Sequence, residues 1–185
     1  MERDKIVLGI DPGTQILGFG VIHLSGKRSK YVDMGVVNLK KEKDHFMTLK
    51  RITEEVTALI EKYLPDEMAI ESPFYGKNPQ VMLKLGRAQG AAMAAALMRN
   101  IPIFEYAPRS VKLAVTGQGS ASKEQVATMV QRILGIDSPQ EYADATDALS
   151  IALCHCFNRI APLGSHAKTT SWENFIRNNP NKVIK

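Results

Sequence analysis

Hydrophobic and polar positions along this chain switch between a period of two and a period of 3.6, and the switches outline its elements. Lys5–Asp11 (KIVLGID) is a nearly continuous apolar run, the pattern of a central strand covered on both faces. After a Pro12-Gly13 turn, Ile16–Leu24 and Tyr31–Leu39 read as two further strands, and the short link holding Gly26 makes them a hairpin. Phe46, Leu49, Ile52, Val56, Leu59, Ile60 and Tyr63 recur at helical spacing, and Pro65 closes that helix. Glu67–Glu71 (EMAIE) is a short strand. Asn78-Pro79 pairs an N-cap with an N1 proline and opens a helix to about Arg99. Ile103–Tyr106 is a fifth strand, and a short helix follows Pro108. Ser122-Lys-Glu-Gln125 and Ser138-Pro-Gln-Glu141 are capping boxes. The first opens a helix ending at Gly135, the second a last helix reaching about Asn158.

Apart from the short helix, the order is β-β-β-α-β-α-β-α-α. Three antiparallel strands followed by right-handed crossovers predict an α/β fold, a five-stranded mixed sheet with helices on both faces. Residues 1–160 form the expected domain. Residues 161–185 lose periodicity and read as a flexible basic tail, with Trp172 and Phe175 as a possible anchor for a partner.

Composition narrows the class. At 185 residues and 44% hydrophobic content the chain suits one domain with its own core, not a disordered polymer. The longest apolar run, Ala91–Met98, is too short to span a bilayer, and no signal-peptide pattern opens the chain. The expectation is a cytoplasmic protein with no membrane partner. Cys154 and Cys156 lie two apart on a helix and point away from each other, so neither a disulfide framework nor a zinc site with His155 follows. His155 reads as a core or helix-surface residue. Between Lys77 and Arg132 stand eight basic residues against Glu105 and Glu124, more than accounting for the chain's net charge of +5. Nucleic acid is the natural polyanionic partner, and solvated helix faces are the ordinary alternative.

Four carboxylates stand out by position. Asp11 ends the first strand, and Glu71 ends the strand that this topology places beside it. Asp144 and Asp147, three apart, share a face of the last helix. Singly, each has an ordinary reading: a turn former, a helix-dipole acid, a lysine partner. Together, at the margin of an apolar core, they repel unless protons or cations are held, and oxygen ligands select Mg²⁺ or Mn²⁺. A metal cluster beside a basic surface points to phosphodiester cleavage.

Gly9-Ile-Asp-Pro-Gly-Thr14, Gly18-Phe-Gly20, Ala69-Ile-Glu71 leading to Phe74, Leu83-Lys-Leu-Gly86, Phe104-Glu-Tyr106 and Asp144-Ala-Thr-Asp147-Ala together resemble the RuvC family of Holliday-junction resolvases. The resemblance runs from about Ile6 to His155. Actin-like sugar kinases open similarly but need two such domains. The resemblance implies an RNase H-like fold, a homodimer and magnesium-dependent paired nicks across a four-way DNA junction, in recombination and repair. It also implies work alongside a junction-binding branch-migration complex. Asp11, Glu71, Asp144 and Asp147 would be the metal-binding catalytic acids, with Lys123 at the scissile phosphate. Phe74 would stack on a base, and Lys112 and Lys123 would face the backbone. Lys77 and Arg109 are added as DNA contacts from their place in the basic stretch; Arg109 could equally cap carbonyls. The small residues around Gly86 and Gly90 would form the dimer face, with burial against the chain's own sheet as the alternative. Met93 and Met98 read as core fillers. Ser72-Pro73 before Phe74 stiffens that loop. At Asp144 the acid stands where some relatives have His. Rival readings are a non-catalytic junction binder, a nuclease for RNA or duplex ends, and a phosphotransferase fragment.

Overall fold

The computed structural model describes residues 4–72, 78–136 and 143–160. Strands β1 (Lys5–Asp11), β2 (Ile16–Ser25) and β3 (Arg28–Asn38) lead into helix α1 (His45–Tyr63). Then follow β4 (Glu67–Glu71), α2 (Pro79–Leu97), β5 (Ile103–Tyr106), α3 (Pro108–Thr116), α4 (Lys123–Leu134) and α5 (Ala143–Ile160). The sheet order is β3-β2-β1-β4-β5, with β1–β2 and β2–β3 antiparallel and β1–β4 and β4–β5 parallel. This is the mixed sheet expected, and β4 does lie beside β1.

Local chemistry sets the boundaries. Asp44 Oδ1 accepts the Met47 N–H at 2.9 Å to cap α1, and Leu64 ends it at φ 48°. Asn78 caps α2 ahead of Pro79, and the Ser122–Gln125 capping box of α4 is present on both sides. The Ser138 capping box, Phe74, Lys77 and the segment from 161 onward lie outside the described residues.

Two apolar layers enclose the sheet. Leu8, Ile10, Met68 and Ile70 face α1 and α2. On the other face Val7 and Ala69 meet α3, α4 and α5. Because strand side chains alternate, Lys5, Val7, Gly9 and Asp11 share the α5 face, as do Glu67, Ala69 and Glu71. Both strands therefore present a charged residue to α5 at each end.

Two expectations are corrected. Phe46, placed on an apolar helix face by spacing, and Met98, read as a core filler, are 77% and 80% exposed. Phe46 is the second residue of α1 and Met98 the C-cap of α2, so both stand at helix ends rather than along the packed face. Met93 does pack against the core. The third strand starts at Arg28 rather than Tyr31, because the tight hairpin keeps pairing up to Ser25–Arg28.

Candidate active site

Asp11 points from the end of β1 at the first turn of α5. That turn comes close because the strands beneath it have no side chains in the way. A Cβ on Gly18 would stand 2.1 Å from the Asp144 carbonyl oxygen, and one on Gly9 would stand 2.2 Å from that of Ala148. The glycines of the two motifs are thus the seat of α5, a role the sequence reading missed. The signal was three glycines facing one side of two paired strands.

With α5 seated, Asp11, Asp144 and Asp147 each offer a carboxylate oxygen, and these oxygens lie within 4.8 Å of one another. Glu71, at the end of the neighbouring strand, lines the same cleft as Asp11 and Asp147. Burial, then repulsion from Glu71 and Asp147, pushes the Asp11 carboxyl up to about 7, against the attraction of Lys123. Burial and Asp147 likewise raise Glu71. Asp11 and Glu71, each raised by burial and neighbouring acids, together with Asp144 and Asp147 fit a site for divalent cations, and the all-oxygen donor set fits a hard ion.

Lys123, the first residue of α4, donates from Nζ to Asp147 Oδ2 at 2.6 Å, and that bond raises its own pKa. Lys112 lines the same cleft of about 380 Å³, with Asp11, Glu71, Lys123, Asp147 and Ser150. Arg109 is elsewhere: it is exposed on the first turn of α3, against Gly119, and does not line the cleft.

A second polar cluster occupies the opposite end of the same face. Glu67, with a side chain 3% exposed, accepts from His155 Nε2 at 2.7 Å, from Arg159 Nε at 3.0 Å, and from Lys5. Burial alone would raise the Glu67 pKa, but bonds from Arg159, Lys5 and His155 outweigh it and hold it down to about 2. Burial lowers the pKa of His155 and pushes the Tyr106 phenol up to about 12. Tyr106 therefore donates its O–H to His155 Nδ1 at 2.7 Å, which leaves the Nε2 proton for Glu67. His155 is a core residue, and both cysteines are buried free thiols.

An RNase H-like sheet with clustered acids at the ends of its two central parallel strands defines a nuclease of that fold class. The family model for "Crossover junction endodeoxyribonuclease RuvC" matches residues 7–155, and the chain belongs to that family. It is 52% identical to the RuvC protein of Porphyromonas gingivalis over 187 residues, 98% of each chain. It is also 52% identical to that of Bacteroides fragilis over 184 residues, 98% of this chain and 97% of the relative. Among solved structures it is similar to T. thermophilus RuvC in complex with Holliday junction substrate. That similarity has 33% identity and a TM-score of 0.78, covering 84% of this chain and 95% of that one. The yeast mitochondrial Holliday junction resolvase Ydc2, at 17% identity and TM-score 0.62, shares the fold.

Proposed function

We propose that this chain cuts four-way DNA junctions with Asp11, Glu71, Asp144 and Asp147 as the acids that hold Mg²⁺, replaceable by Mn²⁺. The protein is a Holliday-junction resolvase, a nuclease acting on phosphodiester bonds, as its family membership establishes. The observation that supports the assignment of the acids is the convergence of Asp11, Asp144 and Asp147 within 4.8 Å, with Glu71 lining the same cleft.

Bound divalent ions would supply a nucleophilic water near neutral pH and stabilise the leaving 3′ oxygen. The chain's own residues do the rest. Asp11 feels repulsion from Glu71, Asp147 and Asp144 alike, so its carboxylate is common to the whole cluster. Lys123 neutralises Asp147 before substrate arrives and can turn to a phosphate oxygen afterwards, its side chain being 71% exposed. Lys112 offers a second cation at the cleft wall. Lys77, Arg109 and Phe74 belong to the wider DNA contact in this reading, Phe74 stacking on a base near the junction centre.

A homodimer would present two such sites to opposite strands. Its supporting feature is α2, where a side chain at Gly86 or Gly90 would meet nothing within 4 Å and Val81 and Leu83 are exposed. The branch-migration complex remains the proposed cellular partner. No helix among the described residues is long and apolar enough to cross a membrane, and the cytoplasm is the proposed location.

The test is a series of Asp11→Asn, Glu71→Gln, Asp144→Asn and Asp147→Asn, each assayed for junction cleavage in Mg²⁺ and for junction binding in chelator. Each should lose more than about a hundredfold in cleavage, beyond what residues that merely support a ligand cost, and still bind. A variant that cuts normally removes its residue from the assignment.

A further inference from the structure

Glu71 keeps a partner on one side of its strand, Tyr106 on β5, and has none on the other, where β1 lies. The β1–β4 register ends at Ile10–Ile70, so neither Asp11 nor Glu71 has a Cα partner on the other's strand. The last bond between β4 and β5 is made one residue on, from the Ser72 N–H to the Tyr106 carbonyl at 2.9 Å. That bond pins the Glu71–Ser72 peptide on its β5 side, while pairing with β1 has already ended on the other.

The Glu71 carbonyl is instead held from the opposite face of the sheet. Gln89 on α2 is 5% exposed, and its Nε2 donates to the Glu71 carbonyl oxygen at 3.2 Å and to Glu105 Oε1 at 2.8 Å. A side-chain amide nitrogen has two protons, and here both are committed. Glu105 on β5 faces α2 because its neighbours Phe104 and Tyr106 face α5, where both approach His155. The carboxylate of Glu105 thus fixes the amide, and the amide fixes the Glu71 peptide. A polar side chain as buried as this is costly unless satisfied in this way.

We infer that Gln89 is a positioning residue, an amide on α2 that orients Glu71 towards Asp11 and so sets the affinity of the acid cluster for its cation. The inference rests on the reading of Glu71 as a metal-holding acid. Gln89 itself touches neither metal nor DNA in this account. It acts through the backbone of the residue that does.

Gln89→Met keeps length and burial and removes both donors. Mn²⁺ binding to the DNA-free protein, followed by electron paramagnetic resonance, reads the effect without reference to activity; the Mg²⁺ dependence of junction cleavage reads it in turnover. The expected result is a half-saturating metal concentration about tenfold higher or more, with cleavage at saturating metal and junction binding in chelator within a few-fold of wild type. In a Glu71→Gln background the same substitution should change Mn²⁺ binding no further. An unchanged half-saturation in folded Gln89→Met, or an equal effect in the Glu71→Gln background, overturns the inference. Should Gln89→Met not fold, Gln89→Asn, one methylene too short to reach both acceptors, is read by the same criteria. Wild-type protein that cleaves junctions with no metal requirement would instead defeat the function on which the inference rests.

Discussion

Asp11 is an acid whose folded environment disfavours its charge, and the sign of that effect can be tested. Its pKa stands at about 7, well above the ordinary carboxylate value of 3.8, so the metal-free fold takes up a proton there that the unfolded chain releases. Stability from this group is present at low pH and declines as pH rises from about 4 to about 7. In chelator at pH 8, Asp11→Asn should therefore be more stable than wild type, raising Tm by at least about 3 °C in a thermal melt. The same variant should bind junction DNA as well or better while failing to cut it, since it removes repulsion from the phosphates. A lower Tm in chelator would mean that the carboxylate holds the fold together. Cation binding must displace that proton, so half-saturating Mg²⁺ should fall as pH rises through 7 and level off above it, as a titration of cleavage at several pH values would show.

Helix α5 carries both polar clusters, and its placement depends on absent side chains at one end and charged ones at the other. Gly18→Ala would drive a methyl into the Asp144 carbonyl, so either α5 lifts or the variant unfolds. The expected outcome is loss of cleavage with a fall in Tm, and unchanged activity would contradict the seating argument. At the far end, Glu67 has a folded pKa depressed to about 2, so its contribution is fully present above the unfolded value of about 4.5 and is lost as pH falls towards 2. Glu67→Gln should cost about 3 kcal/mol in urea unfolding at pH 7 and flatten the acid limb of the stability curve between pH 4.5 and 2. The elements themselves were legible because capping boxes, prolines and strand-length apolar runs act within a few residues. What was not legible acts across the fold. Glu67 and Glu71 look alike in EMAIE, yet one meets Arg159 and the other Asp11. Phe46 fits helical periodicity and Met98 the chemistry of a core filler, but neither signal reports that the residue stands at a helix end. Asp11 and Glu71 were legible as strand-end acids and Asp144 and Asp147 by their three-residue spacing on one helix; Gln89 was not, because it meets a backbone carbonyl and an acid distant in sequence.

The whole molecule sets its basic groups around an acidic centre, with Lys112 and Lys123 walling the cleft and Arg109 further out on α3. This arrangement suits a polyanion whose backbone is gripped on the flanks and cut in the middle. The proposed dimer belongs to this scale as well. Gly90→Arg adds a side chain where a single chain has open space, and it replaces a poor helix former, so the monomer should fold at least as well. Analytical ultracentrifugation should show it shifted to monomer, and a persisting dimer would place the interface elsewhere. Most direct for the account as a whole is cleavage of an end-labelled four-way junction beside a linear duplex of the same sequence, in Mg²⁺ and in chelator. The account predicts symmetric nicks in the junction alone, absent in chelator and absent with Asp11→Asn. Equal cutting of the linear duplex, or cutting that survives Asp11→Asn, would contradict it.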